Sequence, residues 1–309
     1  MWAGPAFSIG ASLRNALTSS MSSPVQLGPL SLQNPVLVSS GTFGYGPEFA
    51  AFFDLNRLGG LVTKTLTLEP RAGNPAPRVI ETPAGMLNSV GLQNVGIDRF
   101  ISEEWPKLQD LKCAVIVSIA GSTAAEFETL TRKLVPLKNL AALELNLSCP
   151  NTESARAGGR FAQDAEASAK VVRAVKAVAG KVPVFAKLTA DVTDIVLIAK
   201  AVEAAGADAV TLINTLMGLV LDDKTGGPVL GGVTGGLSGP AIRPVAVRCV
   251  WEVRKASKIP IIGTGGIQTV QDARQFFHAG ANAVSVGTAN FWNPKAALQL
   301  IEGLEKAAR

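Results

Sequence analysis

Near its C-terminal end the chain reads Pro260-Ile-Ile-Gly-Thr-Gly-Gly-Ile-Gln-Thr-Val-Gln-Asp-Ala-Arg-Gln-Phe-Phe-His-Ala-Gly-Ala-Asn-Ala-Val-Ser-Val-Gly-Thr288. Two short apolar runs, Pro260–Gly263 and Ala283–Gly287, have the length of buried strands; the first is followed by Thr264-Gly265-Gly266 and the second by Thr288. Between them, Gln271–Ala279 has apolar residues three and four positions apart, which is typical of an amphipathic helix. This stretch therefore predicts two parallel strands joined by a helix.

The same unit recurs along the chain. Further strand-like runs are Val36–Ser40, Gly60–Lys64, Ala114–Ile119, Ala142–Leu147, Val182–Leu188 and Ala209–Asn214. Helical spacing recurs in Ala165–Ala179, Asp194–Ala205 and Pro240–Ala256. Eight such units predict an α/β fold, the (β/α)8 or TIM barrel, with the active site at the C-terminal ends of the strands. A doubly wound open sheet is the alternative, but it generally has fewer strands and a GxGxxG motif after the first one, which is missing here.

The composition excludes several classes of protein. The chain has 309 residues, of which 47% are hydrophobic, so it is long enough for one barrel domain. Its net charge is +5, but lysine and arginine are scattered along the chain without long runs, which argues against nucleic-acid binding. The excess charge suits an anionic small molecule or serves solubility. The three cysteines lie far apart without a CxxC pair, so they predict no iron–sulfur or zinc site and fit a reducing cytoplasm.

The N-terminal segment has no apolar run long enough for a secretory or membrane segment. A second methionine, in Met21-Ser-Ser-Pro24, resembles an alternative start of the chain. We expect residues 1–20 to be an N-terminal extension, disordered or not native to the protein, and residues 21–309 to be a single barrel domain.

The predicted strands end in polar residues and glycines, at the edge where a barrel places its active site. The strand ends are Ser39–Thr42, Thr63–Thr65, Ile119–Ser122, Asn146–Asn151, Lys187–Thr189, Ile213–Thr215, Gly263–Gly266 and Val286–Ala289. Two long segments, 66–97 and 216–239, interrupt the alternation of strands and helices after the second and sixth strands. We expect both to help build the site.

Two of these ends predict a phosphate site. Gly263-Thr-Gly-Gly266 and Gly287-Thr288 follow strands seven and eight, where barrels commonly bind phosphate through backbone N–H groups. The alternative is that these glycines only end their strands. Even the phosphate interpretation does not identify the compound that carries the phosphate.

Two lysines and one cysteine are the candidates for chemistry. Lys64 and Lys187 end apolar strands, so each needs an anionic partner; a Schiff base or stabilisation of negative charge is open to either. Cys149 follows strand four and is a candidate nucleophile or general base, whereas we interpret Cys113 and Cys249 as buried apolar residues. The lone histidine, His278, is expected at a helix end in a structural role.

Amide side chains are the last candidate group. Asn88, Asn146, Asn151 and Asn214 lie at or beyond strand ends. One asparagine in a loop is usually a turn residue, but several around one mouth suit a ligand with alternating N–H and C=O groups.

Dense motifs resemble class 1B dihydroorotate dehydrogenase from about residue 24 to the C-terminus. The matching stretches are Asn34–Gly46, Thr67–Arg78, Gly85–Asn94, Glu144-Leu-Asn-Leu-Ser-Cys-Pro-Asn151, Val192–Ile195, Ile213–Gly218, Val233-Thr-Gly-Gly-Leu-Ser-Gly-Pro-Ala-Ile242 and Val286–Phe291. Cysteine in the fourth stretch resembles class 1, since the membrane-associated class 2 enzymes have serine there. The Thr234–Ile242 stretch resembles subtype B more than the fumarate-using subtype A.

The resemblance implies FMN as the cofactor and dihydroorotate as the substrate. It implies Cys149 as the catalytic base, assisted by Lys64 and Lys187. The implied FMN contacts are Ser40, Gly41, Lys64, Thr65, Asn146, Lys187, Ile213, Ser238, Gly239, Gly265, Gly266, Gly287 and Thr288. The implied substrate contacts are Lys64, Asn88, Val90, Gly91, Leu92, Asn146, Asn151, Asn214 and Thr215.

The resemblance also implies a partner. A class 1B chain forms a homodimer at the centre of a heterotetramer, whose other subunit carries FAD and a [2Fe-2S] cluster and passes electrons to NAD. No metal site, nucleic acid or membrane is expected for this chain. The segment Thr152–Asp164 departs from the family by its length and by lacking an Ala-Phe-Gly order, and Lys187-Leu-Thr-Ala-Asp-Val replaces the more frequent Lys-Leu-Ser-Pro-Asn-Val.

Three other functions remain open from the sequence. A dihydropyrimidine-type reductase would share FMN and the cysteine but bind an uncharged pyrimidine. A Schiff-base lyase acting through Lys187 would need no flavin. A binding module without catalysis would have no need for the cysteine and both lysines together.

Overall fold

A computed structural model describes residues 24–147 and 161–308 of the chain. The predicted N-terminal extension of residues 1–20, Cys149, Asn151 and most of the divergent segment after Asn151 lie outside the described residues. The strands are β1 Val25–Leu27, β2 Leu30–Leu32, β3 Val36–Val38, β4 Gly60–Val62, β5 Val79–Thr82, β6 Gly85–Asn88, β7 Ala114–Ile119, β8 Leu140–Asn146, β9 Val184–Leu188, β10 Ala209–Leu212, β11 Leu216–Gly218, β12 Gly235–Ser238, β13 Ile261–Thr264 and β14 Ala283–Val286.

Helices alternate with the later strands. They are α1 Ile97–Arg99, α2 Ala124–Leu134, α3 Ala165–Ala179, α4 Ile195–Ala204, α5 Arg243–Ala256, α6 Val270–Ala279, α7 Ala289–Trp292 and α8 Ala296–Ala308. Short 3-10 turns occur at Pro47–Phe49, Leu55–Arg57, Trp105–Lys107, Phe161–Gln163 and Pro240–Ile242, and a π-helical segment at Phe100–Glu104.

Eight parallel strands close into a barrel, which confirms the predicted TIM barrel. Their order around the barrel is β3-β4-β7-β8-β9-β10-β13-β14, and β14 pairs again with β3. All eight predicted strands are present, although several end earlier than predicted; β10, for example, ends at Leu212 instead of Asn214.

The strands alternate between two apolar environments. Residues such as Val36 and Val38 face the surrounding helices, as the period of two in a strand requires. The intervening residues fill the barrel with one apolar layer, made of Leu37, Val62, Ile116, Ala142, Phe185, Ala209, Ile262 and Ala283. Val25, Leu27 and Leu32 of the β1–β2 hairpin pack against this layer and cover one end of the barrel.

Local signals fix the helix ends. In α6, the Thr269 hydroxyl accepts from the Asp272 backbone N–H while the Asp272 carboxylate accepts from the Thr269 N–H, and Gly280 ends the helix in a left-handed conformation. His278 lies exposed in the last turn, as expected from the sequence. The predicted helix Pro240–Ala256 instead begins with a 3-10 turn at Pro240–Ile242. Pro244 has no backbone N–H, so it cannot donate an α-helical hydrogen bond to the Pro240 carbonyl.

The two long segments form a second sheet with the order β11-β12-β6-β5, all of it antiparallel. Strands β5 and β6 come from segment 66–97, and β11 and β12 come from segment 216–239. Gly235 and Gly236 allow the close approach, since a Cβ on Gly235 would lie 2.6 Å from the carbonyl oxygen of Asn88. We find no helix in the described ranges that is both long and apolar enough to cross a bilayer.

Candidate active site at the carboxyl ends of the barrel strands

A cavity of about 400 Å³ lies between the carboxyl ends of the barrel strands and the second sheet. It brings together residues from distant parts of the chain that the sequence indicated. The indicated residues that line it are Ser40, Gly41, Lys64, Thr65, Asn88, Val90, Leu92, Asn146, Lys187, Ile213, Asn214, Thr215, Ser238, Gly239, Gly265, Gly266, Gly287 and Thr288. Gly91 does not line it, since that residue packs against Asn74 between two residues that do.

The cavity also has lining residues that the sequence analysis did not name as ligand contacts. They are Ser39, Thr42, Arg78, Val79, Met86, Gln93, Ile242, Thr264 and Phe291. Most lie next to a predicted site residue, so position beside a strand end was the available signal. Arg78 and Val79 lie beside no barrel strand end; they belong to segment 66–97, which was expected to help build the site, and the pairing of β5 with β6 brings them to the mouth.

One end of the cavity is built from glycines and backbone N–H groups. Within the described ranges, the N–H groups of Gly265, Gly266, Gly287 and Thr288 have no protein acceptor. Gly266 has a left-handed φ of 70°, and a Cβ there would lie 2.7 Å from the Gly239 carbonyl oxygen. Donors without an acceptor and a backbone without side chains are what a phosphate group requires.

A chain of amides and hydroxyls forms another wall. The Asn214 side-chain amide donates to the Asn146 Oδ1 at 3.2 Å, and the Asn146 amide donates to the Thr65 hydroxyl at 3.3 Å. The Thr65 hydroxyl lies 2.9 Å from the Ser118 hydroxyl. Asn88 is held from the second sheet, where its amide donates to the Gly236 carbonyl at 3.1 Å. Each amide is therefore oriented by a neighbour.

Two lysines supply positive charge at the cavity. Lys187 is buried and donates from Nζ to the Ser40 hydroxyl at 3.0 Å. Lys64 is partly buried, and burial lowers its pKa; nearby Glu48 opposes that shift and Arg78 adds to it. At neutral pH a partly desolvated ammonium favours an anionic ligand beside it.

The described cysteines lie away from the cavity. Cys113 and Cys249 are buried, as predicted. Burial raises the pKa of the Cys113 thiol to about 12 and that of the Cys249 thiol to about 11. Both therefore stay protonated near neutral pH.

Residues 24–307 match the family described as dihydroorotate dehydrogenase. This chain belongs to the dihydroorotate dehydrogenase family. Curated relatives agree with that assignment. The chain is 51% identical over 282 residues, covering 91% of the chain and 92% of the relative, to the protein of Desulforamulus reducens named dihydroorotate dehydrogenase B (NAD(+)), catalytic subunit. It is 52% identical over 270 residues, covering 87% and 85%, to the protein of the same name from Geobacillus kaustophilus.

A solved structure supports the fold. The crystal structure of DHODH in complex with ferulenol from Eimeria tenella superposes with a TM-score of 0.76 at 21% identity, covering 96% of this chain and 89% of that one. At this identity, the likeness supports the barrel architecture alone.

Dihydroorotate dehydrogenases use a flavin, and the cavity fits one. Its glycine end offers N–H donors for a phosphate, and Lys64 and Lys187 lie at the same cavity. Polar amides and hydroxyls on the remaining wall match the donors and acceptors of a flavin ring or a pyrimidine. The described lining residues are compatible with such a ligand.

Proposed function

We propose that this chain oxidises (S)-dihydroorotate to orotate with FMN as its cofactor, a step of pyrimidine (UMP) biosynthesis, and that the electrons pass to NAD through a second subunit. The observation that carries this proposal is the cavity itself. It unites unpaired backbone donors at Gly265, Gly266, Gly287 and Thr288 with two lysines and a row of oriented amides.

The glycine end would hold the FMN phosphate. FMN is favoured over riboflavin because the four N–H groups would otherwise lack an acceptor. The ring would contact the residues nearer the strand ends, namely Ser40, Gly41, Lys64, Thr65, Asn146, Lys187, Ile213, Ser238 and Gly239. Ser40 is pre-oriented for this, since its hydroxyl accepts from Lys187.

Dihydroorotate would bind over the ring against the amide wall. Its carboxylate and amide groups would be held by Lys64, Asn88, Asn146, Asn214 and Thr215, with the Val90–Leu92 backbone closing the side. Asn151 completes this proposed set and lies outside the described residues. The Thr215 N–H donates to the Asn214 Oδ1 at 2.8 Å, so these two neighbours act as one unit.

The proposed reaction removes two hydrogens from the substrate. Cys149 accepts the proton from C5, and its ordinary pKa of about 8.5 lies close enough to working pH for that role. When bound, FMN supplies the acceptor for the hydride from C6. Lys187 stabilises the negative charge that arrives on the cofactor side, and Lys64 supports both ring and substrate.

The relatives' names support a divided enzyme. Those relatives are named catalytic subunits, so another subunit is implied. We propose that this subunit carries FAD and a [2Fe-2S] cluster, and that it joins a homodimer of this chain in a cytoplasmic heterotetramer. We also propose that residues 21–309 form its single domain.

The visible spectrum of the purified protein tests the function directly. We expect a yellow protein with about one FMN per chain, released by heat and identified by chromatography. Anaerobic dihydroorotate should bleach the flavin band, whereas dihydrouracil should not, because it lacks the carboxylate for Lys64. A colourless protein after FMN supplementation, or FAD as the released flavin, would contradict the proposal.

A further inference from the structure

A polar layer lies directly above the apolar layer inside the barrel. Two residues beyond each apolar position, the eight strands present Ser39, Lys64, Ser118, Glu144, Lys187, Thr211, Thr264 and Ser285. Hydrogen bonds join strands across the layer, for example from Ser39 to Ser285 at 2.8 Å and to Thr264 at 3.2 Å. At these eight described positions, Glu144 is the one acid, and Lys64 and Lys187 are the two bases.

Glu144 is buried beneath the cavity and does not line it. Its side chain is 2% exposed. The Thr211 hydroxyl donates to Oε2 at 2.9 Å and fixes the carboxylate. The other oxygen, Oε1, has no hydrogen-bond partner within the described ranges and lies 3.8 Å from the Lys187 Nζ. The Lys187 Nζ reaches the cavity, so this ion pair connects the barrel interior to the site.

Stability alone is a poor explanation for this pair. Withdrawing two charges from water has a desolvation cost of several kcal/mol per ion, and apolar residues often replace such a pair without loss. Leaving one partner alone in the interior is far less favourable, so each side chain depends on the other for its charge. Lys187 has the proposed catalytic role, whereas Glu144 has none so far.

We propose that Glu144 is a positioning residue for the redox site, which keeps Lys187 positively charged and directed at the cofactor. This inference rests on the proposed function, because it concerns FMN in the same cavity. The pKa of Lys64, the other lysine of the layer, is set by burial and by nearby Glu48 and Arg78. Glu144 therefore acts on Lys187 in particular.

The consequence is a difference in proton uptake. Reduced FMN carries a negative charge, and a lysine that is already charged takes up no proton when that charge arrives. In Glu144→Gln, the buried ammonium has lost the carboxylate that lay 3.8 Å away and holds its proton less tightly while FMN is oxidised. Reduction favours the protonated ammonium, so the variant should take up more protons per two electrons than wild type does.

The experiment is a redox titration of the bound flavin against reference dyes across a range of pH. We expect the flavin reduction potential of Glu144→Gln to depend more steeply on pH than that of wild type. Glu144→Asp keeps the negative charge and should restore the wild-type pH dependence. Ser285→Ala changes the same layer without touching the pair and serves as the matched control.

A double-variant comparison shows whether Glu144 acts through Lys187. In a Lys187→Met background, adding Glu144→Gln should change neither the potential nor its pH dependence. An equal shift in both backgrounds, or a wild-type pH dependence in Glu144→Gln, would overturn the inference. Should Glu144→Gln fail to retain FMN, Glu144→Leu removes the same charge, and a wild-type pH dependence of its potential would overturn the inference equally.

The two proposals fail in different ways. If wild-type protein binds no FMN or is not reduced by dihydroorotate, the proposed function is wrong. If wild-type protein does both and Glu144→Gln titrates identically, only the role of Glu144 is wrong.

Discussion

The pKa values of two of the three cysteine thiols argue against their acting as the catalytic base. Cys113 and Cys249 lie in the apolar core, and burial raises the pKa of the two thiols to about 12 and about 11. A thiol that holds its proton so tightly is a poor base at neutral pH. In the sequence, Cys149 follows Asn146 by three residues, and Asn146 lines the cavity. The proposed proton transfer is therefore assigned to Cys149 alone.

Replacing Cys149 with alanine should leave FMN bound and slow flavin reduction by dihydroorotate by roughly 10²–10⁴-fold, the usual contribution of a positioned acid–base group. Anaerobic stopped-flow absorbance measures that rate. Cys113→Ala and Cys249→Ala are the matched controls and should reduce flavin at close to the wild-type rate. Equal rates in all three variants would show that Cys149 is not the base.

The turn between β13 and α6 is the element that most directly prepares the cofactor site. Gly265 and Gly266 both have positive φ, and they turn the chain from the barrel wall into a capped helix. The Arg243 guanidinium donates to the Gly266 carbonyl at 3.2 Å and pairs with Asp272, so the carbonyl is held by residues that do not line the cavity. The backbone N–H groups of Gly265 and Gly266 therefore remain available to the proposed FMN phosphate.

Gly266→Ala should weaken FMN binding by about tenfold or more, which corresponds to roughly 1.4 kcal/mol, because the new Cβ would collide with the Gly239 carbonyl. Fluorescence titration of the apoprotein measures the affinity. Gly226→Ala is a matched control, since its φ of 68° carries similar backbone strain but no atom lies within 4 Å of the added Cβ. Equal FMN affinity in the two variants would mean that the turn does not bind the phosphate.

For the whole molecule, the missing component is a route from the flavin to NAD. The sequence has no dinucleotide fingerprint, and three dispersed cysteines cannot supply the four ligands of a cluster. Its relatives are named catalytic subunits, which agrees with a divided enzyme. The barrel supplies the oxidation site, and we assign the onward transfer to the partner.

The chain alone should be reduced by dihydroorotate and reoxidised by artificial acceptors, with negligible NAD reduction. Adding the proposed FAD and iron–sulfur subunit should restore NAD reduction, because it supplies the missing electron carriers. Stopped-flow reoxidation with NAD and with fumarate, each with and without the partner, measures this. Fast fumarate turnover by the lone chain would indicate subtype A, and NAD turnover by the lone chain would reveal an unrecognised dinucleotide site.

The sequence by itself determined the barrel and most of the cavity wall. Short apolar runs predict buried strands, and the parallel strands of a barrel have all their carboxyl ends at one mouth. Ser40, Lys64, Asn146, Lys187 and Gly266 could therefore be located from local pattern alone. The predicted strand ends were the least accurate feature, because the last backbone hydrogen bonds of a strand depend on the neighbouring strand.

Only the tertiary structure decided which distant side chains meet. Arg78 and Val79 reach the cavity because β6 pairs with both β5 and β12, segments far apart in the chain. Glu144 lay within a predicted strand, yet its approach to Lys187 depends on the register of β8 against β9, where Asn146 pairs with Lys187 and Glu144 with Phe185. Register is set by the packing of the closed barrel as a whole, and no local run of residues encodes it.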